Sequence, residues 1–271
     1  MNALARMPAA PARVRAAGAR PTRDAARTQA AILDAATREF AQHGLGGARV
    51  DRIAASAGAN KRMLYYYFGA KDALFLAVLE RAYEHIRSEE QALRLTDLPP
   101  PEGVRQLIAF TWNYYLAHPE FITLLNSENL HRAAHLKRSR RIRALHSPLV
   151  ATLSELLERG AREGSLRGGV DPVQLYVSIA ALGYFYLSNV HTLSTIFDRD
   201  LLAARAKAAR LAHVTDLILR SLAPPPAAAD PVRAGGLPRP RAQAILFNQT
   251  VNTAGAGLSP RRRSTAPRRK P

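Results

Sequence analysis

The chain has 271 residues, 47% of them hydrophobic, enough for one large core or two small ones. It contains no cysteine, which excludes disulfides, thiol catalysis and thiolate metal sites, and a cytoplasmic location is expected. The net charge of +18 sits mostly at the ends: residues 1–23 carry +5, residues 223–271 carry +8, and the stretch between them carries +5.

Residues 1–23 mix Ala, Pro and Arg without period and read as a disordered basic leader. No uninterrupted apolar run follows their arginines, so they do not read as a secretion signal. The first helix is expected over 24–43. Asp24 can cap it, Ile32, Ala36 and Phe40 recur every four residues, and Gly44 ends it.

The organising stretch is 50–71, VDRIAASAGANKRMLYYYFGAK. Ile53, Ala54 and Ala57 lie at helical spacing, and Gly58 follows where a helix end needs a positive φ. Asn60 stands where an N-cap belongs, and Met63, Leu64 and Tyr67 resume the apolar pattern. Helix, short turn and helix make a helix-turn-helix unit, whose second helix enters the major groove N-terminus first. Lys61 and Arg62 occupy its first turn, where they can meet guanine acceptors. The hydroxyls of Tyr65, Tyr66 and Tyr67 suit phosphate oxygens. Lys71, beside the next helix N-terminus, is placed as a phosphate clamp.

A long helix over 72–94 presents two apolar stripes, one with Leu74, Val78 and Ala82, the other with Phe75, Leu79 and Ile86. Two apolar faces imply contact with two bodies, which makes this helix a mechanical link. The prolines of 98–101 then break it and mark a boundary. From 102 to 222 the pattern is helical throughout. Helices are expected over 102–117, 120–134 and 138–163, the last kinked or restarted by Pro148. Two long helices follow, one opened by Asp171-Pro172 and running to about 197, the other over 199–222. The apolar run 175–190 is interrupted by Ser178, Gly183, Ser188 and Asn189, so it reads as a buried helix rather than a membrane span. Residues 223–271 are Pro-, Ala- and Arg-rich and end in a polybasic run; they read as a disordered tail. A DNA-affinity role and no role at all both stay open for that tail.

The run IAASAGANKRMLYYYFGAKDAL resembles the N-terminal domain of TetR-type bacterial transcription regulators, with its Ile-Ala, Ala-Gly and Leu-Tyr-x-Tyr-Phe-x-x-Lys elements. The upstream run RTQAAILDAATREFAQHGLGGARV fits as well, and the likeness covers about residues 24–90. Three positions depart from it. Arg49-Val50 stands where the family usually has Thr or Ser, Ala59-Asn60 where it favours Val-Ser, and Arg62-Met63 where it usually has Gly-Thr. The first replaces a hydroxyl phosphate contact with an arginine one, and the last bears on base readout. The resemblance implies an all-α fold, with a three-helix DNA-binding domain over 24–71, a connecting helix and linker over 72–101, and a ligand-binding and dimerisation domain over 102–222. It also implies a homodimer formed by the last two helices, 171–197 and 199–222. Residues 49, 60–63, 65–67 and 71 are the candidate DNA contacts.

For a small-molecule site, Trp112, Tyr115 and Phe121 gather at one helix corner, and Tyr176 and Tyr184 lie along the later helix. Asn126 and Glu128 can supply polarity there. Glu128, His131 and His135 share one helical face, as metal ligands in bundles do. The motif is a single copy, so it reads as a polar face or a hydrogen-bonding pocket wall, and no metal or other cofactor is expected. No catalytic spacing is present: no Gly-x-Ser-x-Gly, no His-Glu-x-x-His, no phosphate loop. The expectation is therefore a homodimeric repressor, not an enzyme, that leaves its double-stranded operator when a small hydrophobic or aromatic effector binds. The alternative is a non-specific or architectural DNA binder driven by its basic ends.

Overall fold

The computed structural model describes residues 23–225. The readings of residues 1–22 and 226–271 as leader and tail lie outside the described residues. Among those described there is no strand, and the fold is all-α.

Helix α1 (Arg23–Gly47) breaks at Gly44, which takes φ 62 and ψ 176, a conformation open to glycine and costly for other residues. The expected stop is therefore real, and one further turn follows it. Helix α2 (Val50–Ser56) and helix α3 (Lys61–Phe68) are joined by the turn at 57–60, with Gly58 at φ 60. Asn60 caps α3: its Oδ1 accepts the Met63 N–H at 2.8 Å. Ile32, Phe40, Ile53, Leu64, Leu74 and Phe75 close the core beneath these helices. Leu64 is fully buried, so one face of α3 is fixed inward and the opposite face is left to solvent.

Helix α4 (Lys71–Ala92) buries Leu74, Phe75, Val78 and Leu79 in that first core and Ile86 in an aromatic cluster with Tyr114, Tyr115 and Phe121. It thus touches two bodies, packing on α1 and on helix α7 (Arg140–Arg162). The break after α4 falls at 93–99 and holds only the first of the three prolines: Pro99 is the N-cap of helix α5 (Pro100–Ala117), and Pro100 and Pro101 open it. A proline lacks only an N–H that a first helical turn leaves unpaired, so that position tolerates it.

Helix α6 (Pro119–Leu130) ends before the expected 134, because Arg132 and Ala133 turn left-handed, both at φ 56. Helix α7 starts at Arg140, capped by the Ser139 hydroxyl, and runs through Pro148 instead of starting there. The expected single helix 171–197 is two: α8 (Pro172–Ser188) and α9 (Val190–Ile196), bent by 66° at Asn189. The Asn189 side chain donates back to the Phe185 carbonyl, a local bond that competes with helix continuation. No single helix among the described residues is long and apolar enough to cross a membrane; only this bent pair is when taken together. Helix α10 (Ala204–Leu222) begins later than the expected 199, since Asp200 Oδ1 accepts from the N–H groups of Leu202 and Ala203 and holds a turn there. A second core of Val104, Leu107, Leu153, Leu156, Ile179 and Ile218 fills the C-terminal half.

Candidate nucleic-acid interface and regulatory site

The α2–α3 unit gathers an exposed basic and aromatic surface. Arg49, Lys61, Arg62, Tyr65 and Tyr66 are exposed together on it. Tyr65 and Tyr66 are 44% and 69% accessible, unusual for large rings in a small core and consistent with a surface that meets a partner. Lys61 pairs with Asp51 at 2.9 Å. That hydrogen-bonded carboxylate raises the Lys61 pKa, so the amine stays charged at any physiological pH.

Four of the sequence candidates are partly buried or already engaged in bonds within the domain. The Asn60 side chain is engaged as the α3 cap. Met63 is half-buried, and Tyr67 packs on the first core and against Phe68. Lys71 does not reach outward: its Nζ donates to the carbonyls of Leu45 and Ala48 at 2.9 and 3.3 Å. It ties the start of α4 to the segment that ends α1.

Glu39 escaped the sequence reading. Its Oε1 accepts the Arg49 N–H and the Arg52 Nε–H, both at 2.8 Å. Burial alone would raise its pKa, but these bonds and the Arg52 charge outweigh burial and hold it below the ordinary carboxyl value. It is a fixed anchor under the start of α2. The available signal was an acid next to Phe40 on the apolar stripe of α1.

In the C-terminal half the aromatic candidates separate into two groups. Tyr115 stacks on Phe121 with centroids 6.1 Å apart. Tyr184 donates its hydroxyl proton to Asn126 Oδ1, and Asn126 Nδ2 donates to Ser188. Tyr176 accepts from Arg87 Nη2 at 2.7 Å and lies under the same guanidinium, 5.2 Å from the ring centroid. Trp112 stands apart, edge-on to Tyr186 and beside Val190. Glu128 is consumed locally: Oε1 accepts the N–H groups of His135 and Leu136 at 2.9 Å, and Oε2 lies 2.6 Å from His135 Nδ1. His131 Nδ1 faces its own helix carbonyl at Ser127. The Glu128–His131–His135 pattern is therefore a hydrogen-bonded wall that shapes the turn after α6.

Arg87 and Glu90 of α4 were missed, although charged residues on a core stripe are a legible anomaly. Their side chains are each 3% exposed, with Nη1 and Oε2 2.6 Å apart. Arg87 Nε and Nη1 and both Glu90 oxygens nevertheless lack hydrogen bonds of proper geometry. Burial pushes the Glu90 carboxyl up to about 7 against the pull of Arg87. Both residues border a partly open cavity of about 240 Å³ between α4 and α7, with Leu95, Leu145, Pro148 and Leu149 on its wall. Tyr83 lies close enough to feel the Arg87 charge, and burial raises its pKa to about 12. Burial lowers the pKa of His146, on α7.

The chain matches the family model described as bacterial regulatory proteins, tetR family, over residues 32–78. Residues 100–218 match the tetracyclin repressor-like C-terminal domain. The HTH-type transcriptional repressor NicS of Pseudomonas putida is 43% identical over 196 residues, spanning 72% of this chain and 92% of that protein. The chain belongs to the TetR family of bacterial transcription regulators. It is a DNA-binding regulator and not an enzyme. The HTH-type transcriptional repressor SCO4008 of Streptomyces coelicolor is 37% identical over 139 residues, covering 51% of this chain and 69% of that one. Among solved structures, the transcriptional regulator SCO4942 of Streptomyces coelicolor superposes with a TM-score of 0.56 at 26% identity, covering 73% of this chain and 99% of that one. FadR of Bacillus subtilis, solved in complex with stearoyl-CoA, shares the fold with a TM-score of 0.53 at 15% identity, covering 71% and 98% of the two chains. For a TetR-family member, α2 and α3 form the DNA-reading unit, and α4 leads from it into the C-terminal helices.

Proposed function

We propose that this TetR-family protein is a cytoplasmic homodimeric repressor whose hold on a near-palindromic operator is released by a small aromatic or hydrophobic effector. The observation that carries the reading is the exposed face of α3, where Lys61, Arg62, Tyr65 and Tyr66 stand on a helix fixed inward by Leu64 and capped by Asn60. Lys61 and Arg62 read bases, the tyrosines and Arg49 hold phosphate, and Met63 and Tyr67 border the contact. Lys71 acts behind them by fixing α4 to α1.

One helix-turn-helix reads few bases, and a dimer reads two half-sites. Val173, Val177 and Phe185 of α8 and Leu217 of α10 are exposed apolar residues suited to a second copy. The effector is assigned to the aromatic and polar residues Tyr115, Phe121, Tyr176, Tyr184 and Asn126, of which Tyr176 holds the Arg87 guanidinium at the edge of the α4–α7 cavity. NicS and SCO4008 are named repressors, and the FadR fold neighbour holds a small molecule. A ligand that binds one position of α4 better than the other shifts the population between them, and no more is required.

Footprinting of the DNA flanking the gene with full-length protein at moderate salt tests the reading. One protected near-palindrome, lost on Arg62→Ala, is the expected result. Uniform protection that vanishes with added salt would instead make the protein a non-specific binder acting through its basic ends.

A further inference from the structure

His85 and Glu89 lie one turn apart on the exposed side of α4, and His118 stands between α5 and α6. One candidate ligand atom from each lies within 4.8 Å of the other two. The two imidazole rings are 5.1 Å apart, and His85 Nε2 is 3.4 Å from Glu89 Oε1. The Nδ1 atoms of both histidines are already engaged. His85 Nδ1 is 2.9 Å from the Tyr114 hydroxyl, and His118 Nδ1 is 3.1 Å from Glu120 Oε1. A histidine that donates Nδ1–H to a carboxylate or hydroxyl keeps its lone pair on Nε2. That arrangement orients metal-binding imidazoles and raises their basicity.

We propose that His85, Glu89 and His118 form a binding site for a divalent transition-metal ion of borderline softness, with Zn²⁺ the best fit. Two imidazole nitrogens and one carboxylate suit Zn²⁺, Ni²⁺ or Co²⁺ and disfavour Mg²⁺ and Ca²⁺, which take oxygen ligands. Three protein ligands leave a fourth tetrahedral position for water or an exogenous anion. Metal bonds of about 2 Å need only a small inward rotation of three side chains, all of them at least partly exposed. Glu120 and Tyr114 act behind the ligands as positioning residues.

The placement gives the ion a mechanical role. One turn before His85, Arg81 ties α4 to Asp34 and Thr37 of α1 at 2.7 and 2.9 Å. A cation held by His85, Glu89 and His118 ties the same helix to the α5–α6 junction. The sequence concealed the site because its third ligand comes from a different helix junction.

Titration of tag-free full-length protein with ZnCl₂ by calorimetry tests the site, and Co²⁺ absorption in the visible reads its geometry. One ion per chain is expected, with the tetrahedral Co²⁺ spectrum. His85→Ala and His118→Ala should each abolish both signals while leaving the helical circular dichroism intact, and His131→Ala should change neither. Glu120→Gln should weaken Zn²⁺ binding about tenfold or more. Absence of binding in the parent protein, or binding that survives His85→Ala and His118→Ala, would overturn the assignment.

Discussion

Each half of the molecule buries a carboxylate beside an arginine, and the two are finished differently. Glu39 accepts directed bonds from the Arg49 N–H and the Arg52 guanidinium, and its pKa is lowered. Glu90 sits deeper, close to Arg87 but without proper hydrogen bonds, and its pKa is raised to about 7. A fully bonded charge is structural cement. An under-bonded one carries the desolvation cost of its charge, which is why burial outweighs Arg87 and raises its pKa. The DNA-reading half is built to hold one shape, and the linking helix carries its loose end into the other half.

The largest effect should follow from breaking the loose pair. Arg87→Ala leaves the Glu90 carboxyl buried alone and should destabilise the protein by about 3 kcal/mol at pH 8. The loss should shrink at pH 6, where Glu90 takes a proton. Urea unfolding at both pH values measures it, and equal losses would refute the account of Glu90. Because the folded pKa lies above the ordinary value of 4.5, the folded state binds the extra proton between 4.5 and about 7. The Glu90 contribution therefore makes stability fall as pH rises through that window, and Glu90→Gln should remove the fall.

Glu39 should behave with the opposite sign. Its lowered pKa gives stability that is complete above the ordinary carboxyl value and is lost as pH falls through the folded pKa. Glu39→Gln should lose about 1–2 kcal/mol at neutral pH and flatten the acid limb of the unfolding profile. Parallel pH slopes in the two Gln variants would erase the distinction between the pairs. The smallest stability effect belongs to Lys61→Ala. An exposed ion pair contributes little, so the thermal midpoint should stay in place. Operator binding should nonetheless weaken, and the sequence preference should relax at the base pair that Lys61 reads.

Much of the DNA-reading half was legible because its signals are local. Asn60 as cap, Gly58 at positive φ and the stop at Gly44 each depend on residues within one turn. The C-terminal half was harder to read. The bend at Asn189 and the late start of α10 come from single side-chain-to-backbone bonds, and helical periodicity is blind to them. Glu128 looked like a ligand by spacing, yet its oxygens close a turn through His135 and Leu136. Arg87 and Tyr176 meet across two helices far apart in sequence, so no pattern along either one could announce their contact.

The grip of Lys71 on the carbonyls of Leu45 and Ala48 has a geometric consequence. These bonds latch the N-terminal end of α4 to the segment that ends α1 and leads into the reading unit. From Arg87 to Lys71 the helix extends about 24 Å, so a tilt of about 8° at the buried pair displaces the far end by about 3.4 Å, one base step along a strand. On the proposed release by an effector, α4 would be a long arm with its fulcrum beside the cavity, turning a side-chain rearrangement into a misfit of one rung on the DNA ladder.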